Sequence, residues 1–284
     1  KYRAVLHQTR QDTVGLYSDL HNVQAQSIKR QAIHSALTLV RNDYDLVPVI
    51  DPSRLLIWSI GTSEQTSFER TMRQQGCMDI HMGSSLSSNE KLNQLAKDKQ
   101  AVVVAFHQMN NSASQAYGID QTYLRWLKDL NQKIPVVPIL FGNPYALEYF
   151  DDFGTVIVAY ENDDLTKQFT AEALVGAYTF DGQLPVSASD LSRVGSGVHS
   201  RSLFRTVTAL PEEVGVSSHK LQTGLDTLLD HMVQDKVTPG GQVLVIKNNR
   251  IIYDKSFGYH TYDEKRQVHQ DDIYDLASIT KVLA

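Results

Sequence analysis

The hydrophobic positions fall into two regimes along the chain. From residue 50 to about 180, short continuous apolar runs alternate with longer stretches of helical spacing. The runs are Leu55–Ile60, which stops at Gly61, then Ala101–Phe106, Val136–Phe141 and Thr155–Tyr160. Continuous rather than alternating runs are what strands covered on both faces require. Between them, Tyr123, Leu127 and Leu130 line one helix face; Leu165, Phe169, Ala173 and Gly176 line another, behind Asn162 as a cap. This alternation predicts an α/β fold, an open, mostly parallel sheet sandwiched by helices. Pro138 argues against a central, fully paired position for the third run. Ahead of the sheet, Ile28, Ile33, Ala36, Leu37 and Val40 predict a helix over 24–40. The polar run Arg41–Asp45 ends it, and Pro48 and Pro52 keep it ended.

After Ser187 the pattern lapses. Residues 187–216 are rich in Ser, Gly and Arg without sustained periodicity, with Gly195-Ser196-Gly197 in the middle, and read as a linker. Periodicity returns with Leu221, Leu225, Leu228 and Met232, a helix stripe capped by Ser217 or Ser218. Pro239-Gly240-Gly241 turns the chain. Gln242–Lys247 and Ile251–Phe257 then flank Asn248-Asn249-Arg250 in a hairpin pattern. A turn-rich stretch, Gly258–Asp272, leads to Ile273–Lys281 and the start of a helix. The expected organisation is an α/β domain over 1–186, a linker over 187–216 and a partial α+β domain over 217–284.

The 284 residues leave room for two cores. Cys77 is the single cysteine, which excludes an intramolecular disulfide framework and a Cys-rich zinc site. The net charge is -5 with no long Lys/Arg run, against a nucleic-acid groove or a polybasic membrane patch. No apolar run reaches the roughly 18 residues of a membrane span. The chain opens on Lys1 rather than Met, so its lack of a leader pattern carries no meaning. No P-loop, Gly-x-Gly-x-x-Gly, His-Glu-x-x-His or Gly-x-Ser-x-Gly pattern is present, and the ten His are scattered. No metal or cofactor is therefore expected. Trp58 and Trp126 lie in apolar contexts and read as core residues rather than a sugar platform.

The pattern Ser-x-x-Lys occurs three times, at Ser88–Lys91, Ser217–Lys220 and Ser278–Lys281. On a helix, positions i and i+3 share a face, so a Lys amine can reach the Ser hydroxyl. A hydroxyl becomes a useful nucleophile when a base takes its proton, and a lysine amine can do so where its surroundings favour the neutral form. The first two copies read as helix starts with a capping Ser. The third follows a hairpin and an apolar lead-in.

Two stretches resemble known families. Pro239-Gly240-Gly241, Val243–Lys247, Phe257-Gly258-Tyr259 and Ile273–Lys281 resemble the N-terminal portion of serine β-lactamase-like and penicillin-binding-protein-like hydrolases, over about residues 211–284. That resemblance implies Ser278 as the acyl-enzyme nucleophile and Lys281 as the assisting base. It also implies a Tyr-containing motif and a Lys-Thr-Gly-like strand beyond Ala284, so this segment by itself is expected to be inactive. Lys1–Ala4, Ala36–Asp43 with Leu46–Val49, Phe141–Tyr145 and Gly182–Val186 resemble the C-terminal α/β domain of family 3 glycoside hydrolases, nearest the β-N-acetylhexosaminidases. The resemblance implies an upstream barrel carrying the catalytic groups, with Lys1–Leu6 as the tail of its last helix. It further implies a bifunctional cell-envelope or periplasmic protein acting on N-acetylglucosamine-containing glycans such as peptidoglycan, and transfers no catalytic residue to 1–186.

In open α/β sheets, ligand contacts come from loops at the carboxyl ends of strands. Ser63, His107, Asn110 and Asn143 occupy those places and are candidate substrate-binding residues. The plainer readings are a turn at Gly142-Asn143-Pro144 and an ordinary hydrogen-bonded histidine at 107. Asp151-Asp152 and Asp163-Asp164 could bind a hard cation, or be solvated or cap a helix. The hairpin at 242–257 is expected to present an unpaired edge.

Overall fold

The computed structural model describes Gly15, Leu20 and residues 22–283. The expected barrel-helix tail, Lys1–Leu6, lies outside the described residues. Two compact units result, Ile28–Arg205 and a second built on residues from Thr206 onward.

The first unit is a six-stranded sheet with helices on both faces. In chain order the elements are α1 (Val23–Ala36), β1 (Thr38–Asn42), β2 (Leu55–Ile60), α2 (Ser67–Gln74), β3 (Ile80–Met82), α3 (Asn89–Ala96) and β4 (Ala101–Phe106). They continue with α4 (Gln121–Asn131), β5 (Val136–Leu140), β6 (Thr155–Val158) and α5 (Asp164–Leu174). The sheet order is β1-β6-β5-β4-β2-β3, parallel throughout except for β1 against β6. The apolar runs are continuous because each face has a cover. Leu56, Trp58, Val102, Val104 and Leu140 form one core with Leu92, Leu124, Leu127 and Leu130 of α3 and α4. Leu55, Ile57, Val103, Ile139 and Ile157 alternate with these, point the other way and are equally buried. Trp58 is fully buried and donates its indole N–H to Gly83 O at 2.9 Å; Trp126 packs against the same core half-buried.

Three sequence expectations are corrected here. The first helix stops at Ala36, not Val40; Leu39 and Val40 lie in β1, paired with β6 at Leu39↔Ile157. Pro138 sits in an interior strand, opposite Val104 of β4. Phe141 N–H donates to Phe106 O, so odd residues of β5 point their N–H at β4 and position 138 points toward β6. The β6 ladder begins one residue later, at Ile139↔Ile157, so the missing donor costs no bond. The cap of α5 is Asp163 rather than Asn162, its Oδ1 accepting from Leu165 N–H and Thr166 N–H at 2.9 and 3.1 Å. The capping reading of Asp163-Asp164 thus describes that pair.

The Ser-rich stretch follows the outer side of β1. Gly182 N–H donates to Leu37 O (3.1 Å) and Val198 N–H to Leu39 O (2.7 Å). Leu203 N–H donates to Gly176 O at 2.7 Å, and buried Ser200 Oγ accepts from Phe180 N–H at 2.8 Å.

The second unit contains β7 (Val207–Thr208), α6 (Ser218–Gln234), β8 (Gly240–Lys247), β9 (Arg250–Gly258) and α7 (Thr280–Leu283). Its sheet runs β7-β9-β8. Asn248 and Asn249, both left-handed at φ 51° and 59°, make the tight turn whose twist matches the two strands. Leu229 is the buried residue of α6, with Leu225 and Met232 half-buried, whereas Leu228 of the expected stripe is exposed. The hairpin is met on one side by β7; β8 has no strand on its outer side among the described residues.

Candidate functional site

Ser278 lies where the chain turns from an extended lead-in to a helix. Asp275 Oδ1 accepts the N–H of Ala277 at 2.9 Å, and Ala277 adopts a left-handed φ of 44°. A non-glycine residue pays for that conformation, and such strain concentrates at functional turns. A single tight turn, Ala277–Ile279, then leads into α7. One helical turn on, Lys281 Nζ lies 3.4 Å from Ser278 Oγ, and both residues are exposed.

The other two copies of the motif are built differently. Ser88 caps α3, its Oγ accepting the backbone N–H of Lys91 at 3.2 Å, while Lys91 Nζ donates to Ser85 O. Ser217 caps α6 in the same way, with Lys220 N–H at 3.3 Å. In both, the backbone of the lysine meets the serine. In the third copy the amine does.

In the α/β unit the loops after β2, β4 and β6 each open on a left-handed residue: Gly61 (φ 86°), Gln108 (φ 50°) and Tyr160 (φ 66°). A Cβ on Gly61 would stand 2.2 Å from His107 O, so the first two loops touch backbone to backbone. The loops after β4 and β5 also approach closely, since a Cβ on Gly142 would stand 2.7 Å from Met109 Cβ. Asn143 Nδ2 donates to Asn111 Oδ1 at 3.3 Å across this gap, while its Oδ1 caps the following turn at Tyr145 N–H. Asn110 accepts from Ser112 N–H and donates to Gln115 Oε1, holding its own loop. Ser63 is exposed, in a turn closed by Thr62 Oγ1 donating to Glu64 O.

His107 is buried. Its side chain is 1% exposed, stacked on Phe141 with centroids 4.8 Å apart, and its Nε2 lies 3.1 Å from Glu69 Oε1. Its Nδ1 is buried without a hydrogen bond among the described residues. Glu69 is fully buried and also accepts from the Ser59 hydroxyl and from Thr66 N–H at 2.6 Å. Burial pushes the Glu69 carboxyl up, and the His107, Ser59 and Thr66 hydrogen bonds outweigh that, bringing it down to about 2. Sequence reading missed Glu69 and Ser59. The available signal was Thr66-x-x-Glu69, the capping box that opens α2. Among the described residues no group of three or more His, Cys, Asp or Glu is arranged to hold a metal ion, and no helix is long and apolar enough to cross a membrane.

Residues 225–284 match the model of the β-lactamase family. Over 60 residues the chain is 33% identical to "Protein flp" of Staphylococcus aureus (strain NCTC 8325 / PS 47), and 32% identical to that of strain N315. Each match takes in 21% of this chain and 12% of the relative, so the chain spans about an eighth of the length of the curated proteins it matches. Among solved structures it is similar to "Beta-glucoside phosphorylase BglX" at 18% identity and TM-score 0.46, over 61% of this chain and 34% of that one. It is similar to a glycoside hydrolase family 3 β-N-acetylglucosaminidase from Paenibacillus sp. str. FPU-7 at 16% identity and TM-score 0.45, over 60% and 34%. A β-glucosidase from Listeria innocua in complex with glucose gives 16% identity and TM-score 0.47, over 60% and 28%.

Proposed function

We propose that this chain is a segment of a bifunctional cell-envelope protein, in which the unit from Thr206 onward supplies the nucleophile of a β-lactamase-like serine hydrolase. The observation that carries the reading is the 3.4 Å approach of Lys281 Nζ to Ser278 Oγ behind the left-handed Ala277. The family match over residues 225–284 supports it. The Lys281 amine takes the Ser278 hydroxyl proton as Oγ bonds to the acyl carbon. That proton passes to the leaving group as its bond to the acyl carbon breaks. Water then cleaves the Ser278 ester and restores the hydroxyl.

The α/β unit would belong to a family 3 β-N-acetylhexosaminidase acting on N-acetylglucosamine-containing glycans, peptidoglycan pieces among them. The motifs at 36–49, 141–145 and 182–186 support this half. In this reading Ser63, Asn110 and Asn143 face the glycan from the carboxyl end of the sheet, while His107 is a positioning residue beneath them. The periplasm or cell envelope is the proposed location. The second reading makes the α/β unit a scaffold only, and the inward placement of His107 favours it. Full-length protein is treated with a fluorescent penicillin or fluorophosphonate and, separately, with a chromogenic N-acetylglucosaminide. Labelling lost in Ser278→Ala together with phenol release supports the bifunctional protein. Labelling alone supports the scaffold reading, and neither signal overturns both.

A further inference from the structure

A gap in a sheet edge runs along β9 on the side away from β8. β7 covers only the start of that side, with Val207 opposite Arg250, Thr208 opposite Ile251, and Ala209 N–H donating to Ile251 O at 3.0 Å. The ladder stops there because Leu210 turns its N–H to Glu213 Oε1 and Pro211 has none to give. The far end is covered again by Val268, whose N–H donates to Gly258 O at 3.1 Å. Between Ile251 and Gly258, roughly 23 Å of extended strand has no backbone partner on this side among the described residues. Tyr259 N–H donating to Pro239 O sets the phase of the β8–β9 ladder. Residues 255 and 257 therefore face β8, and Asp254 and Ser256 turn their N–H and C=O groups outward into the gap.

Two cavities open along this gap end to end. One of about 520 Å³ runs from Thr208 past Asp226 to Asp254 and Lys255; the other, of about 550 Å³, runs from Asp254 past Ser256 to Asp271. Ser256 Oγ is buried there with no hydrogen-bond partner among the described residues. The walls are acidic. Lys255, the one Lys or Arg lining either cavity among the described residues, is already paired to Asp226 Oδ1 at 2.7 Å, where Tyr253 OH also donates at 2.6 Å. Asp226 lies on the sheet face of Tyr253 and Lys255, whereas Asp254 projects from the opposite face. A strand laid in the gap points successive side chains to these two faces in turn, so both meet a carboxylate.

We propose that the outer edge of β9 between Ile251 and Gly258 is a binding site for an extended, cationic peptide segment of a partner. Its main chain pairs with Asp254 and Ser256 by strand addition, and its Lys or Arg side chains meet Asp226 on one face and Asp254 and Asp271 on the other. The hydrolase reading is not needed for this site. The test is fluorescence anisotropy on the full chain with labelled acetyl-Val-Lys-Lys-Val-Lys-Lys-amide. Its Glu counterpart and a version N-methylated at alternate amides serve as controls. Saturable binding is expected, weakened at least about tenfold by either control and by Asp226→Asn with Asp271→Asn. On binding, amide exchange at Asp254 and Ser256 slows. No saturation up to about 1 mM overturns the site. Equal binding of the N-methylated peptide also overturns it, because a surface charge effect needs no main-chain pairing.

Discussion

Glu69 and His107 stand 38 residues apart in sequence and share a 3.1 Å hydrogen bond in the buried interior of the α/β unit. That bond joins the first turn of α2 to the end of β4, directly beneath the loops that carry Ser63 and Asn110. The carboxylate meets three donors, from Ser59, Thr66 and His107. Its ionised form is therefore favoured in the folded chain, with the carboxyl held down at about 2. A carboxyl depressed on folding stabilises the fold above its unfolded pKa, near 4.5, and loses that contribution as pH falls toward 2. Thermal melts across this window should show an acid-side slope that is flattened in Glu69→Gln. At neutral pH the same variant should lose about 2 kcal/mol, since an amide cannot accept all three bonds. Parallel slopes in the two proteins would show that Glu69 does not carry this linkage.

Gly61 makes the next prediction. It combines a φ of 86° with a Cβ position 2.2 Å from His107 O, which is backbone and cannot swing aside. Gly61→Ala should cost about 2–4 kcal/mol, by left-handed strain and by forcing the loops after β2 and β4 apart. Gly76 is the control. Its φ of 96° imposes the same backbone strain, but nothing among the described residues lies within 4 Å of its Cβ position. Gly76→Ala should therefore lose clearly less in a chemical denaturation experiment.

The three Ser-x-x-Lys copies should separate cleanly. Ser88→Ala and Ser217→Ala remove helix caps and should each cost about 1 kcal/mol of stability while leaving covalent labelling of the full-length protein intact. Ser278→Ala should leave the melting temperature nearly unchanged, because the side chain is exposed, and abolish labelling. Lys281→Met should slow labelling by roughly 10²–10⁴-fold, the usual worth of a positioned base. Labelling that survives Ser278→Ala would move the nucleophile elsewhere.

Local chemistry was legible in the sequence wherever the signal was local. The buried strands announced themselves as continuous apolar runs; helix spacing offered three Ser-x-x-Lys copies alike, and the lead-in and the family resemblance around the third pointed to Ser278 and Lys281. β1 did not, because Leu37 and Val40 continue the helical spacing of Ile28, Ile33 and Ala36. Its strand state is imposed by β6, whose pairing residues lie more than a hundred positions away. Pro138 misled for a related reason: its cost depends on which side of β5 starts pairing late. Glu69 was passed over, since only the fold brings His107 over it. An unpaired hairpin edge was expected from the sequence, but not where along β9 it would lie, because its bounds are set by Ala209 and Val268, which sequence order keeps far apart.

Arg41 ties the Ser-rich stretch to the sheet, and its replacement tests how firmly. Its Nε donates to Phe153 O at 3.1 Å and Nη2 to Phe150 O at 2.8 Å; Nη1 reaches Leu191 O at 3.2 Å and Ser192 Oγ at 3.0 Å. Burial lowers the guanidinium pKa, and Asp151 and Asp43 push back. One planar fork thus serves four acceptors on two segments, which a lysine ammonium cannot match in direction. Arg41→Lys should lose about 2 kcal/mol, as two or more buried acceptors are left unmet. Because Leu191 and Ser192 are held by the fork, limited proteolysis should cut faster within residues 187–205 in the variant than in the parent chain. Ser200 and Phe180 remain bonded in both, so cleavage should concentrate ahead of residue 200. An unchanged cleavage rate there would mean that the main-chain bonds of Val198 and Leu203, rather than Arg41, hold the stretch in place.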